Sequence, residues 1–377
     1  MVLWRREGAE ECELVGEAMA PLVGNGILVG FAGQAVISLG LSLWVFFLTT
    51  HGNMDITHPE GSKERDIERK RLDFVSSILT IGCDIQLTLG IAYLITVFSQ
   101  VQIMDTYHLH LVFDIVSFVA VSNTAALVCW RFCRVKIDGQ QATDDDAETD
   151  AKTGPPTRRT RTRGGVPQRM SYWNSRYRAT FLFIALYLAL TILLCIRLNE
   201  WAPNTSPGRC YHSHLITSPG ASHPGDDKIY VSITASWLIG VVLASVFAGV
   251  SRRRGILVLS SLHFPLHMYM AIALRQANQG RFEGETKHEN EWDFGQTTAV
   301  VLLGGAVVEL LSKGREYWSF ERSVKRDGGL PDARYRSLGE AEEGVDFNDA
   351  RLLDAHPGEE GRVSGEEKTV VDARAAN

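Results

Sequence analysis

Ionisable side chains occur at helical spacing within residues 107–130, a segment that is otherwise apolar. Separations of three, four and three residues place four polar side chains on one face of an α-helix: Tyr107, His110, Asp114 and Ser117. A carboxylic acid that is removed from water resists ionisation, and a protonated carboxyl group can act as a general acid. We therefore predict that Asp114 is a proton donor and that His110 positions or reprotonates it.

Two other apolar segments, residues 72–98 and 256–274, also carry polar side chains at helical spacing. In the first the stripe comprises Ser77, Thr80, Asp84 and Thr88, and in the second it comprises Ser260, His263 and His267. We predict that the stripes face one polar interior, in which Asp84 is a second acid or a cation stabiliser. Gln86 points nearly opposite to Asp84 and is a further candidate for positioning or reprotonating the acids. The expected cluster, in the middle to outer half of a membrane, consists of Asp84, Asp114, His110 and His267.

The two histidines of HFPLH, residues 263–267, allow an alternative based on a metal ion. His263 and His267 are one helical turn apart, a spacing that can bind zinc, with His110 or an aspartate as a further ligand. This alternative is a zinc-dependent intramembrane hydrolase. The sequence contains no Walker loop, dinucleotide-binding fingerprint or zinc-finger spacing, so we otherwise predict no cofactor and no nucleic acid as partner.

The candidate residues belong to a chain with seven apolar blocks. A helix needs about 20 residues to cross the hydrocarbon core of a bilayer, and the blocks have about this length. The chain between them is strongly polar. This pattern predicts an all-α fold, a polytopic bundle of seven transmembrane helices, in a multi-pass protein of the plasma membrane or an endomembrane. The predicted spans are 26–48, 72–98, 107–130, 179–197, 229–250, 256–274 and 296–312.

Lysine and arginine residues alternate between the two sides of these blocks. Of the 38 such residues, 30 lie in the segments that follow the first, third, fifth and seventh blocks, and seven lie in the other four segments. Basic residues are retained on the cytoplasmic side of a membrane. The alternation therefore predicts an outside N-terminus and a cytoplasmic C-terminus, with all seven blocks spanning the bilayer.

The polar parts of the chain show no apolar period and no folded domain of their own. Cys12 and Cys210 both fall on the predicted outer face, where they can form a disulfide. Asn204, in the sequence NTS, lies on the same face and is a predicted glycosylation site. The predicted divisions are an outer segment 1–25, a membrane domain 26–312 with a disordered cytoplasmic loop 138–170, and a disordered cytoplasmic tail 313–377.

Three short motifs resemble those of a large group of fungal seven-span integral membrane proteins: CDIQL at 83–87, YHLHLVFD at 107–114 and FGQ at 294–296. The resemblance extends from about residue 72 to residue 312 and excludes the terminal segments. Some members of that group are similar to the membrane-bound terpene cyclases of ascochlorin- and ascofuranone-type meroterpenoid pathways. The resemblance to these enzymes implies cyclisation of an epoxidised prenyl chain carried on an aromatic head group.

The intramembrane acids and the resemblance lead to one functional hypothesis. We expect a membrane-bound terpene cyclase of secondary metabolism, in which a carboxylic acid protonates a lipophilic isoprenoid epoxide that enters from the lipid bilayer. Aromatic faces stabilise carbocations through the ring quadrupole, and the two acid-bearing spans carry Tyr93, Phe98, Tyr107, Phe113 and Phe118. The non-catalytic alternative is a seven-span receptor-like or structural membrane protein, which the outside N-terminus also matches.

Overall fold

The computed structural model describes residues 15–50, 56–59, 62–152, 175–199, 211, 224–247, 252–282 and 291–327. In this part of the chain every regular element is an α-helix, as the sequence predicts. The helices are α1 (Ala20–Val23), α2 (Asn25–Thr50), α3 (Lys63–Gln100), α4 (Thr106–Lys152), α5 (Ser175–Asn199), α6 (Pro224–Phe247), α7 (Arg253–Asn278) and α8 (Phe294–Asp327).

Seven of the described segments are long and apolar enough to cross a membrane, which confirms the predicted number of apolar spans. Helices α1 and α2 together form the first of them, Ala20–Leu48. Gly24 separates these two helices and lies against the side chain of Gln296, where a Cβ atom would overlap it. The remaining six candidate spans correspond to one long helix each, α3 to α8.

Helix α3 begins before the predicted span, at Lys63, and its start follows from the local sequence. The Ser62 side chain accepts a hydrogen bond from the backbone N–H of Arg65 (3.3 Å), which caps the helix. Glu64 and Asp66 lie in the first turn, where negative charge interacts favourably with the helix dipole. The polar extension of α3 is therefore stabilised by its own residues.

Helices α4 and α8 continue into segments for which the sequence predicts disorder. Helix α4 ends at Lys152, and α8 ends at Asp327. In α8 this extension packs on α3: the ring of Tyr317 stacks on Phe74 with centroids 5.2 Å apart, and its hydroxyl accepts a hydrogen bond from Arg71 Nε (3.0 Å). Packing on α3 thus supports a helix that the charge content of the segment does not suggest.

Helix α4 lies at the centre of the bundle. It packs against α1, α2, α3, α5, α6 and α7, and its apolar window is 100% buried inside the protein, compared with 11% for that of α8. Ionisable side chains are costly in hydrocarbon and normally face the interior of a bundle. Because other helices surround α4, its His110 and Asp114 contact protein and not lipid.

Helices α2 and α8 approach closely at two glycines of α2. Gly26 and Gly30 face α8, and a Cβ atom at Gly30 would lie 2.7 Å from the Cβ atom of Ala299. The Gln296 side chain joins the same helices, because its Oε1 accepts from the backbone N–H of Gly26 (2.9 Å) and its Nε2 donates to the Ala20 carbonyl (3.3 Å). The FGQ motif therefore has a packing role where α1, α2 and α8 meet.

Candidate functional site

Asp114 of α4 connects three helices through one carboxylate oxygen. Its Oδ1 accepts hydrogen bonds from Tyr230 Oη of α6 (2.9 Å) and from His267 Nδ1 of α7 (2.8 Å). Tyr230 Oη and His267 Nδ1 are themselves 3.1 Å apart. All three side chains are buried, and we name these residues the Asp114 triad.

Contacts between α7 and α4 place the histidine of this triad. Ser260 Oγ of α7 donates a hydrogen bond to the Val121 carbonyl of α4 (2.8 Å), which joins the two helices. His267 lies two turns further along the same face of α7 and therefore also faces α4. Pro265 between them lacks a backbone donor, yet α7 remains one helix through this position.

Three ionisable side chains of the site have a buried polar atom without a hydrogen-bond partner among the described residues. These atoms are Asp114 Oδ2, His267 Nε2 and His110 Nε2. A buried polar group without a partner costs about 1–3 kcal/mol, so such groups usually have a functional explanation. Gln34 and Gln86 also have amide atoms of this kind, but an amide cannot transfer a proton at neutral pH.

The Asp114 triad is expected to hold one transferable proton. Burial of an uncompensated charge is strongly unfavourable, so the Asp114–His267 pair is most stable when its net charge is zero. A hydrogen bond joins Oδ1 and Nδ1, and the proton that neutralises the pair therefore lies on Asp114 Oδ2 or on His267 Nε2. Both atoms lack a partner within the described residues, so the proton can be transferred to a bound molecule.

A second series of hydrogen bonds, which joins Asp227, Tyr211 and His110, lies beside the triad. Tyr211 Oη donates to Asp227 Oδ2 near the start of α6 (2.7 Å), and His110 Nδ1 of α4 is 3.0 Å from the same hydroxyl oxygen. Burial raises the pKa of Tyr211 well above its ordinary value, and the negative charge of Asp227 and the hydrogen bond to it raise the pKa further. Tyr211 therefore stays protonated and remains the donor to Asp227.

Aromatic rings pack around His110 and the Asp114 triad. Phe113 stacks on Tyr187 of α5 with centroids 5.5 Å apart, and its ring lies edge-on to His267 at 5.7 Å. The rings of His110 and Tyr230 are 5.9 Å apart. The site therefore combines a buried Asp–His pair with aromatic rings, a ring type whose faces attract positive charge.

Asp84 does not belong to this site, and the predicted cluster of four residues is wrong in this respect. Its two oxygens accept hydrogen bonds from Arg176 Nε (2.8 Å) and Nη2 (2.9 Å) of α5. The adjacent Cys83 donates to Asn123 Oδ1 of α4 (2.8 Å). Asn123 is two and a half helical turns from Asp114, about 13 Å along the axis. Periodicity identified a polar face of α3 but could not show that this face is turned away from α4.

Gln86 is buried but also lies outside the Asp114 triad. Its Nε2 donates to the Phe31 carbonyl of α2 (3.3 Å), so it joins α3 to α2 and does not contact the acids. Ser77 and Thr88 of the predicted stripe on α3 are exposed on the surface of the bundle. The stripe on α3 therefore does not share the polar interior that the stripes on α4 and α7 form.

Another buried Asp–His pair shows what a fully partnered arrangement looks like. His108 Nδ1 is 2.6 Å from Asp105 Oδ2, and His108 Nε2 accepts from the backbone N–H of Met19 (3.3 Å). Both nitrogens of this ring are engaged, and the ring fixes the segment before α1 against α4. His267 differs because its Nε2 has no partner within the described residues.

The zinc alternative has no ligand set in the part of the chain that the structure describes. No group of three or more His, Cys, Asp or Glu side chains is arranged there to hold a metal ion. His263 Nδ1 lies 3.0 Å from the Leu259 carbonyl of its own helix, and His267 is held by Asp114. Cys12, Cys210 and Asn204, the predicted disulfide and glycosylation residues, lie outside the described residues.

Sequence patterns missed half of the site. Tyr230 and Asp227 lie at the start of the fifth apolar block, where a tyrosine and an aspartate are ordinary residues of a membrane interface. Tyr211 lies in a part of the sequence without any apolar periodicity. The only available indication was the position of Tyr230 within a predicted span, because its hydroxyl requires a partner there.

Family models, curated proteins and solved structures give no match to this chain. The fold and the site define a multi-pass, all-helical membrane protein with a buried Asp–His–Tyr centre between α4, α6 and α7.

Proposed function

We propose that this protein is a membrane-bound terpene cyclase that opens the epoxide of a lipophilic prenyl chain by proton transfer and closes a ring. The observation that carries the proposal is the buried Asp114–His267 pair, in which Asp114 Oδ2 and His267 Nε2 have no partner among the described residues. A general acid needs a proton that is held firmly in place but not used by the protein itself. The pair meets both requirements.

The proposed reaction begins when the pair transfers its proton to the epoxide oxygen. The bond between this oxygen and the more substituted carbon breaks, and its electron pair stays on the oxygen as a hydroxyl group. A double bond of the prenyl chain supplies the electron pair for a new carbon–carbon bond and leaves a carbocation in the ring. Tyr230 and His267 hold the ionised Asp114 through Oδ1 at this stage.

The surroundings of the pair suit a substrate of this class. The rings of Phe113 and Tyr187 stack beside His267 and present the faces that stabilise a carbocation. The side chains of the Asp114 triad are buried inside a bundle that lies in a membrane. A lipophilic substrate dissolves in the bilayer itself and can reach such a site from the side.

The first test is product formation in membranes that contain the full chain. Membranes from a yeast host are incubated with an epoxidised prenyl-arene, and we expect a cyclised isomer of unchanged mass by chromatography and mass spectrometry. In the variant Asp114→Asn, which cannot carry the proton, the rate should fall by about 10²–10⁴-fold. Asp84→Asn is the matched control, because it removes a membrane carboxylate that has no contact with the triad.

Two outcomes would contradict the proposal. One is an Asp114→Asn protein that is inserted, folded and still converts substrate at the wild-type rate. The other is a folded wild-type protein that forms no cyclised product from a series of prenyl-arene epoxides. The second result would favour the receptor-like or structural alternative, in which the site binds a molecule without converting it.

A further inference from the structure

The hydrogen-bonded residues Asp227, Tyr211 and His110 have no role in the proton transfer that starts the proposed reaction. All three side chains are buried and joined by hydrogen bonds, which connect the start of α6 to α4 through Tyr211. This series of hydrogen bonds ends at His110, whose Nε2 is a buried atom without a partner among the described residues. Such an ordered arrangement that terminates in an open imidazole nitrogen is the second chemical feature of the site.

The directions of the hydrogen bonds fix the form of the His110 ring. Tyr211 has one hydroxyl proton and donates it to Asp227 Oδ2. Its oxygen can then only accept a hydrogen bond from His110 Nδ1, so Nδ1 carries the ring proton. When the ring carries this one proton, His110 Nε2 has a free lone pair and can accept a proton. These three residues can therefore act together as a base, in contrast to the Asp114 triad, which can act as an acid.

We infer that His110 is the base that ends the cyclisation, and that Tyr211 and Asp227 are the positioning residues that support it. This inference rests on the proposed function. His110 Nε2 removes a proton from the carbon next to the ring carbocation. The C–H electron pair becomes a new carbon–carbon double bond, and His110 becomes an imidazolium whose charge Asp227 offsets through Tyr211.

This assignment closes the proton balance of the reaction. The acid pair gives up one proton, and His110 gains one, so substrate and product have the same mass. His110 and Asp114 are one helical turn apart on α4, and the rings of His110 and Tyr230 are 5.9 Å apart. The proton can therefore return from the base to the acid pair within the site, and the total charge of the site is unchanged during turnover.

The test compares product ratios in four variants of the full chain in membranes. Without the base, the ring carbocation still forms but is captured by water, which yields an alcohol heavier than the cyclised isomer by one water. In His110→Gln we expect the ratio of isomer to alcohol to fall by about 10²-fold while the epoxide is still consumed. Tyr211→Phe and Asp227→Asn should lower the ratio in the same direction but less. His58→Gln, an exposed histidine paired with Glu68 of α3, should leave the ratio unchanged.

Three other outcomes would overturn the assignment of His110 as the base. A His110→Gln protein that is folded and keeps the wild-type ratio overturns the base assignment and leaves the proposed function intact. A His110→Gln protein that no longer consumes epoxide makes His110 part of the acid and also overturns the assignment. A folded wild-type protein without any cyclised product removes the proposed function and the base together. Size-exclusion chromatography in detergent establishes folding for each variant.

Discussion

At the scale of single residues, two aspartates in neighbouring membrane helices have their charges compensated in different ways. Both oxygens of Asp84 accept hydrogen bonds from Arg176, a permanent cation, in the two-pronged geometry that arginine and carboxylate favour. Asp114 has one oxygen bonded to Tyr230 and His267 and a second oxygen without a partner in the described residues. The first arrangement fixes a charge, whereas the second leaves one carboxylate oxygen open to a bound molecule.

The Asp84–Arg176 pair is therefore predicted to contribute to stability and not to turnover. The Asp84 side chain is 48% exposed, so solvent and lipid headgroups weaken the interaction, and we expect a coupling energy of only about 0.2–1 kcal/mol. A double-mutant cycle with Asp84→Asn and Arg176→Gln, measured by thermal unfolding in detergent, gives this coupling. Loss of product formation in Asp84→Asn, with the protein folded, would show that the residue takes part in chemistry after all.

The sequence could identify only those site residues that share a helix face. Periodicity in α4 and α7 selected His110, Asp114 and His267, and these residues do lie in the site. Asp227 and Tyr211 reach His110 from parts of the chain about a hundred residues away. No pattern within a helix can reveal such a contact, because it depends on which helices are neighbours.

At the scale of helices, polar side chains are accommodated best on the helix that other helices surround. Helix α4 packs on six other helices and can therefore carry polar side chains throughout its length. Apolar length alone predicts α4 and α8 equally well as spans. Only its ionisable residues indicate from the sequence that α4 is central, because such residues are costly on a lipid-facing helix. The peripheral helix α8 is held instead by close packing and by hydrogen bonds of Gln296 and Tyr317.

Gln296 is predicted to be the main polar attachment of α8. Its side chain bonds to Gly26 N, to the Ala20 carbonyl and to the Glu291 carbonyl (2.6 Å). Gln296→Leu removes all three bonds and leaves buried backbone groups unpaired, so the free energy of unfolding should fall by about 1–3 kcal/mol. Thermal unfolding in detergent measures the change. Thr297→Val is the control, because the hydroxyl of the exposed Thr297 bonds to the Asp293 carbonyl just before the same helix.

An unchanged unfolding temperature in Gln296→Leu would contradict this role for the FGQ motif. It would mean that the glycine contacts with α2 and the contacts of Tyr317 with α3 are sufficient to hold α8. A loss of product formation together with unchanged stability would instead connect the motif with the site. The structure gives no contact that predicts such a link, since Gln296 bonds to α1, α2 and the start of α8 only.

At the scale of the whole molecule, the site and the basic residues lie towards opposite ends of the bundle. Arg131 of α4 donates to the Val246 carbonyl at the end of α6 (2.9 Å), and Arg253 at the start of α7 lies 3.6 Å from the centroid of the Phe132 ring. Asp114 is in the third turn of α4, near the other end. Basic side chains near the cytoplasmic leaflet gain about 1 kcal/mol each from anionic lipids. The distribution of basic residues therefore predicts that the site lies in the outer half of the membrane.

This orientation can be tested on the intact chain. Asn204 should be glycosylated in a eukaryotic host, because the segment between α5 and α6 is predicted to be outside, and an endoglycosidase should reduce the apparent mass. Asn204→Gln should abolish that change. A glycosylation sequence added at the C-terminus should stay unmodified, since thirty basic residues retain that side in the cytoplasm. Modification of the C-terminal sequence would show that the topology is the inverse of the predicted one. The Asp114 triad would then lie in the cytoplasmic half, and a substrate would have to enter from the inner leaflet.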